Sequence, residues 1–359
     1  MNFATTMLCM AAMVASTTVT AETPTIEEIV VTAHPLSGEG LSQAADVLVG
    51  DELDRKRSSN IGATLAKQPG IHSAQFGKAV GRPIIHGLGG PRVKIMEDRI
   101  DTLDVSVSSG DHAVAVEPFI AERIEVLKGA STLLYGSGAI GGVVDVHTGR
   151  IPHEVPDNFT GGIDARYDNN TSGNTTTMKL NGGSGRFAWH VDGTIKDGDD
   201  YKIPGSTLSA RQQALEGEAG ARGELPGSMF DSKSSAVGAS VIEQWGFLGF
   251  AVGRTESEYG LPGDPDGIPV LNLVQQRGDF ELGIREPFLG FHSFNFRAGS
   301  VDYQHKEIEP SGEVATTFEN DAWEARAELV YESGLHSGTI GVQHTEREFF
   351  AIGEESFIP

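Results

Sequence analysis

From Asp157 onward, apolar residues recur at every second position in runs of about ten residues. Phe280, Leu282 and Ile284 alternate with polar or small residues, as do Phe294, Phe296 and Ala298. Trp323, Ala325, Ala327, Leu329 and Tyr331 continue the pattern, followed by Ile340 and Val342. A β-strand turns successive side chains to opposite faces, so a period of two gives each segment one apolar and one polar face. About ten residues is also the length that crosses a bilayer as a tilted strand. Asn181–Gly185, Gln244–Gly246, Pro287–Gly290 and Ser333–Gly334 read as short turns, whereas 196–233, 257–276 and 307–318 read as long polar connections. Short turns at one end and long loops at the other are the asymmetry of an outer-membrane barrel. About nine strands fit into 157–359. A soluble β-sandwich also alternates. Strand length, and Tyr167, Phe187, Trp189 and Tyr331 near strand ends where interfacial girdles lie, favour the barrel.

Before residue 157 the texture is different. Residues 36–152 read as a mixed α+β domain, with short strand-like pieces at Pro83–His86, Val93–Met96, Arg123–Leu127 and Gly142–Thr148. Asp51 is placed to cap a short turn. Ser58 or Ser59 is placed to cap a helix carrying Ile61 and Leu65, which Pro69-Gly70 would stop. Within this domain Gly136-Ser137-Gly138-Ala139-Ile140-Gly141 has the G-x-G-x-x-G spacing of a dinucleotide site. That chemistry needs a helix after the glycines, whose N-terminus holds the pyrophosphate. Here Val143-Val144-Asp145-Val146-His147-Thr148 follows, a β-branched strand pattern. The glycines therefore read as sites of close backbone packing. No nucleophile–base constellation or pair of catalytic carboxylates stands out, so no enzyme and no bound cofactor are expected.

The N-terminal end adds a destination. Met7–Val14 is an apolar core and Val19-Thr20-Ala21 a small-residue cleavage site, so residues 1–21 read as a secretory signal, although no Lys or Arg precedes the core. Cys9, the one cysteine, lies inside it, so the mature chain would have no thiolate ligand or nucleophile. The formal net charge of -23 excludes nucleic acid as a partner. Residues 22–35 hold a lone strand candidate, Ile29–Thr32. It is either the first strand of the next domain or a free strand offered to another protein's sheet edge.

Arg123-Ile124-Glu125-Val126-Leu127-Lys128-Gly129, Leu134-Tyr135-Gly136 and Gly138-Ala139-Ile140-Gly141-Gly142-Val143-Val144 resemble the plug of TonB-dependent outer-membrane receptors. So do Gln68-Pro69-Gly70-Ile71 and Pro83-Ile84-Ile85-His86-Gly87-Leu88-Gly89. Ile26-Glu27-Glu28-Ile29-Val30-Val31-Thr32-Ala33 resembles that family's TonB box. The resemblance implies an α+β plug, residues 36–156, inside a transmembrane barrel of 22 antiparallel strands, of which residues 157–359 would supply about nine. It implies residence in the outer membrane of a Gram-negative bacterium, contact with its lipid, and energised uptake driven by TonB pulling on residues 26–33. With strands short of the family's number, the chain is expected to be a fragment of a longer product, since an open edge is not tolerated in lipid.

Within the family, Ser108–Pro118 (SSGDHAVAVEP) resembles a subgroup of zinc receptors. There an Asp-His pair on a plug loop binds Zn²⁺, which points to Asp111 and His112. Asp302-Tyr303-Gln304-His305-Lys306-Glu307 resembles the subgroup's Asp-Tyr-x-His-x-Glu segment, whose last residue, Glu307, is a ligand. His305 is a substitute for a further histidine that the subgroup draws from a later loop. Imidazole and carboxylate together suit Zn²⁺. Plainer readings stand beside these: Asp111 capping a turn with His112 exposed, Glu307 as a solvated loop charge, and His305 as a strand-end surface residue. Histidines 34, 72, 86, 147, 153, 190, 292, 336 and 344 show no paired metal spacing and read as structural. The subgroup's histidine-rich loop is missing after Tyr259-Gly260-Leu261-Pro262, where Gly263-Asp264-Pro265-Asp266-Gly267 follows. A receptor for an iron-siderophore or another metal chelate is the alternative of the same architecture. A passive porin-like barrel or an adhesin is the alternative of another class.

Overall fold

Which face of the alternating strands is covered separates a barrel from a sandwich. In the computed structural model, which describes residues 45–217, 219–262, 267–333 and 336–354, the apolar face is the exposed one. Phe250, Val252, Trp323, Ile340 and Val342 stand open, while Arg277, Glu281, Arg297, Arg326 and Glu328 are buried. A soluble sandwich buries its apolar faces and solvates its charges. These strands do the reverse, as a lipid-facing barrel wall does. The described residues all fall in one compact unit, Val31–Pro359. Residues 1–21, 22–35 and the TonB-box segment 26–33 lie outside the described residues.

The N-terminal half of that unit holds β1 (Ala45–Val49), α1 (Gly50–Lys56), α2 (Ile61–Leu65), β2 (Ile71–Phe76), β3 (Val80–Ile85), β4 (Val93–Glu97), β5 (Ile100–Asp101), β6 (Arg123–Leu127) and β7 (Gly142–His147). A sheet runs in the order β1-β6-β7-β4-β5, and β2 and β3 form a separate hairpin. Leu48, Leu53, Ile61, Leu65, Ile85, Ile124, Val126 and Val144 fill its core. The cap of α2 differs from expectation. Asn60 accepts from the Ala63 N–H at 2.7 Å, while Ser59 donates to the Lys78 carbonyl instead. Nor does Asp51 cap α1: the capping position is Val49, without a side-chain bond, and Asp51 sits in the first turn.

The remainder is β8 (Thr160–Asp168), β9 (Gly173–Ser184), β10 (Phe187–Gly198), β11 (Lys202–Ser206), α3 (Ala210–Glu216), β12 (Arg222–Glu224), β13 (Phe230–Glu243), β14 (Gly246–Gly260), β15 (Val270–Arg285), β16 (Phe291–Ile308), β17 (Val314–Ser333) and β18 (His336–Gly353). Nine of these make one antiparallel sheet, β18-β17-β16-β15-β14-β13-β10-β9-β8. It is open among the described residues, with β18 and β8 at its edges. Two connections expected to be long loops are mostly strand. Only 261–269 separates β14 from β15, and 309–313 separates β16 from β17. Strands of up to 20 residues, such as β17, exceed the ~9–11 needed to cross a bilayer, so the sheet extends beyond a single crossing. The connection between β10 and β13 does stay long, and β11, α3 and β12 sit in it.

The plug packs against the polar face of this sheet in two layers. Toward the ends of the strands near residue 305, Ile100, Leu103, Val105 and Ala115 pack with Leu273, Val301, Tyr303, Phe318 and Ala322. Beyond it lies a layer of buried ion pairs. Arg150 reaches Glu97 at 2.7 Å and Asp192 at 2.9 Å, Lys196 reaches Glu117 at 2.8 Å, and Arg99 reaches Glu328 at 3.5 Å.

Candidate metal centre

Positions i, i+2 and i+4 of a strand share a face, so Tyr303, His305 and Glu307 of β16 all point at the plug. Between β5 and β6 the plug sends a long segment, 102–122, against them. His112, which this segment carries, meets both residues. Its Nε2 lies 3.2 Å from Glu307 Oε1, and the His305 Nε2 lies 3.9 Å from the same oxygen. The three ligand atoms all fall within 4.8 Å of one another. A tetrahedral zinc with bonds of ~2.0 Å separates its ligands by about 3.3 Å, so the cluster is close to that size. Asp111 Oδ1 stands farther off, 4.0 Å from His112 Nε2, and accepts a hydrogen bond from Ser109 Oγ.

Each imidazole is oriented through its other nitrogen. His112 Nδ1 lies 3.3 Å from the Val105 carbonyl and 3.0 Å from Ser108 Oγ. A carbonyl can only accept, so Nδ1 carries the proton and Nε2 is turned to the cluster, the arrangement that metal-bound histidines use. His305 Nδ1 meets the Tyr303 hydroxyl at 3.0 Å, and its ring stacks on Phe318 with centroids 4.4 Å apart. The two imidazoles pack edge to face at 4.3 Å. His305 Nε2 is buried without a hydrogen-bond partner. Burying such an atom is unfavourable unless something else satisfies it, and a metal ion would. Burial pulls the pKa of His112 down, but the Glu307 hydrogen bond and the Asp111 charge outweigh it, and the net shift is upward. The Glu307 carboxylate thus favours a proton on His112 Nε2, and a metal ion would compete with that proton.

His112 is therefore fully buried rather than exposed, and His305 is 1% exposed rather than a surface residue. The Glu307 side chain is 12% exposed, which is too little for a solvated loop charge. Elsewhere His153, His190 and His147 pair with carboxylates: His153 with Glu281 at 2.6 Å, His190 with Asp192 at 3.1 Å, and His147 with Asp145 at 3.3 Å. Tyr303, Ser108 and Tyr259 lie in motifs quoted from the sequence, but none of them is given a site role there. The strand spacing of Tyr303, His305 and Glu307 could have flagged the first. Ser108 and Tyr259 leave no comparable signal.

The glycine motif is followed by a strand, β7, and not by the helix that a dinucleotide site needs. Gly141 passes so close to Leu88 and Arg92 that an added Cβ would lie 2.8 Å from Leu88 Cβ and 3.0 Å from the Arg92 carbonyl.

Comparison with known proteins places this architecture. The model of the TonB-dependent Receptor Plug Domain matches residues 38–143. The vitamin B12 transporter BtuB of Photobacterium profundum is 24% identical over 241 residues, which cover 65% of this chain and 36% of that protein. The copper transporter OprC has a similar structure, with a TM-score of 0.69 at 14% identity over 86% of this chain and 46% of that one. The FrpB iron transporter of Neisseria meningitidis gives 0.65 at 13% identity, over 86% and 48%. A ferric enterobactin receptor (PfeA) mutant from Pseudomonas aeruginosa gives 0.66 at 16%, over 90% and 51%. The chain thus spans about half the length of these solved structures and about a third of the curated relative. Residues 38–143 match the plug domain of TonB-dependent receptors, and the described residues have the fold of those solved structures, a plug packed on the polar face of an antiparallel nine-stranded sheet.

Proposed function

We propose that the chain acts in a TonB-dependent outer-membrane receptor that captures a scarce metal ion, Zn²⁺ first, at His112, His305 and Glu307 and passes it to the periplasm. The observation that carries this reading is the convergence of three ligand atoms within 4.8 Å from two parts of the fold, plug and barrel wall. Two imidazoles and a carboxylate without thiolate suit Zn²⁺. A transporter must also let go, and ligands divided between plug and wall separate when the plug moves. Residues 26–33 are the segment that TonB would hold, and their pull would part His112 from β16. Asp111 is a further carboxylate beside the site. A small buried cluster fits a bare ion better than a bulky chelate, which favours the metal ion over the siderophore reading.

The test is Zn²⁺ titration of the full-length protein in detergent together with uptake in cells. His112→Ala combined with Glu307→Gln should abolish high-affinity binding, and deleting 26–33 should abolish uptake while leaving binding intact. Equal binding by wild type and the double variant would remove the site. Uptake indifferent to the deletion would point to a passive pore.

A further inference from the structure

Beyond the three ligands, three features of the fold stand out. The plug–wall ion-pair layer belongs to the packing already described. The acidic row Asp302, Asp321, Glu346 and Glu348 on the outward face shows no group that points to a ligand. The third, a tyrosine held against the metal-binding segment, leads further.

Tyr259 is the penultimate residue of β14 and is 1% exposed. Its hydroxyl accepts the Ala113 N–H at 2.9 Å and donates to the Asp111 carbonyl at 3.3 Å. Those residues flank His112 on either side, so one oxygen spans the backbone of the residue that presents the plug's imidazole. The ring packs in a pocket of Val80, Ala113, Phe230, Leu261 and Leu271. After Gly260, the next residue, the chain leaves the strand for the segment that the Leu261 N–H bond to the Pro269 carbonyl closes at 3.0 Å.

We infer that Tyr259 is a positioning residue of the metal centre. From the barrel wall it fixes the backbone around His112, so that Nε2 stands opposite Glu307 and His305. The inference rests on the zinc reading above. The Nδ1 partners Val105 and Ser108 set the rotation of the His112 ring, but both belong to the plug and move with it. Tyr259 is different in kind, because it ties the position of His112 to the wall that supplies the other two ligands. The root of the 261–269 segment is thereby coupled to the metal site through a single side chain.

Tyr259→Phe removes one oxygen and keeps the ring, so the pocket stays filled. Partners that orient a metal ligand typically contribute about 10- to 100-fold in affinity, and a loss in that range is expected for Zn²⁺ added alone to the full-length protein in detergent. At saturation the variant should still bind one ion with the ligand-field spectrum of wild type when Co²⁺ is the probe. The Ala113 amide should exchange faster with solvent. His112→Ala is measured alongside. If it abolishes binding while Tyr259→Phe binds Zn²⁺ as tightly as wild type, the positioning role is overturned and the site stands. If His112→Ala binds like wild type, the site itself is overturned, and the role of Tyr259 falls with it.

Discussion

Arg150 offers a quantitative test of how the plug is held. Its guanidinium bonds Glu97 at 2.7 Å and Asp192 at 2.9 Å, all three side chains being almost fully buried. Removing one partner of such a group strands the others in low dielectric, at a cost of about 3–5 kcal/mol. Neither carboxylate would be wholly abandoned. Glu97 keeps Arg277 at 3.7 Å, and Asp192 keeps His190 at 3.1 Å. The lower end of the range therefore applies to Arg150→Met, about 3 kcal/mol. With a urea dependence of about 1.5 kcal/mol/M for a domain of this size, the midpoint of plug unfolding should fall by roughly 2 M. Cys9 is the one cysteine of these 359 residues, so a dye on Gln75→Cys, an exposed plug position, reports plug unfolding in the detergent-held protein once any cysteine outside them is replaced. Arg150→Lys should recover part of the loss, because an ammonium keeps the charge without the bidentate fork. A midpoint displaced by less than about 0.5 M in Arg150→Met would refute the view that this ion-pair layer secures the plug.

Two further expectations concern pH and glycine. Protons compete with metal for His112 Nε2, and its pKa is raised. Zn²⁺ affinity should therefore be level above that pKa and fall by about tenfold per pH unit below it, as isothermal titration across pH 5 to 8 would show; a flat profile contradicts His112 as a ligand. In the metal-free protein the sign reverses: the His112–Glu307 contact stabilises fully below the ordinary histidine pKa and is lost as pH rises through the elevated one. Gly141→Ala should destabilise the plug by about 1–3 kcal/mol in the urea assay, since its Cβ would press on Leu88 and the Arg92 carbonyl. The same variant should leave NADH binding at background, as wild type should.

The barrel was legible because its signal is a single period. Phe280, Leu282, Phe296, Ala298 and Ala327 alternate, and the observed register sets them on one face. Strand length was misjudged where a strand end is built of small and polar residues that carry little hydropathy contrast. Val314-Ala315-Thr316-Thr317 reads as loop but lies in β17. Asn60 caps α2 in place of Ser58 or Ser59 because the helix begins at Ile61 and so puts Asn60 at the capping position, a boundary that three adjacent capping residues leave open in the sequence. His305 and Glu307 could be paired from the strand period alone. That His112 arrives opposite them is a contact across 195 residues, and no local pattern encodes it; the resemblance to metal receptors suggested it and the packing of 102–122 on β16 produces it. Tyr303 shares the strand period of His305 and Glu307, but the approach of Tyr259 to Asp111 and Ala113 is not visible until those partners meet.

The central claim is that plug and wall jointly hold one metal ion. Zinc-edge X-ray absorption on the loaded full-length protein tests it most directly. The account predicts two imidazole nitrogens and carboxylate oxygen at about 2.0–2.2 Å, with the imidazole scattering halved in His305→Ala. A shell of oxygens alone, unchanged by that substitution, would contradict it.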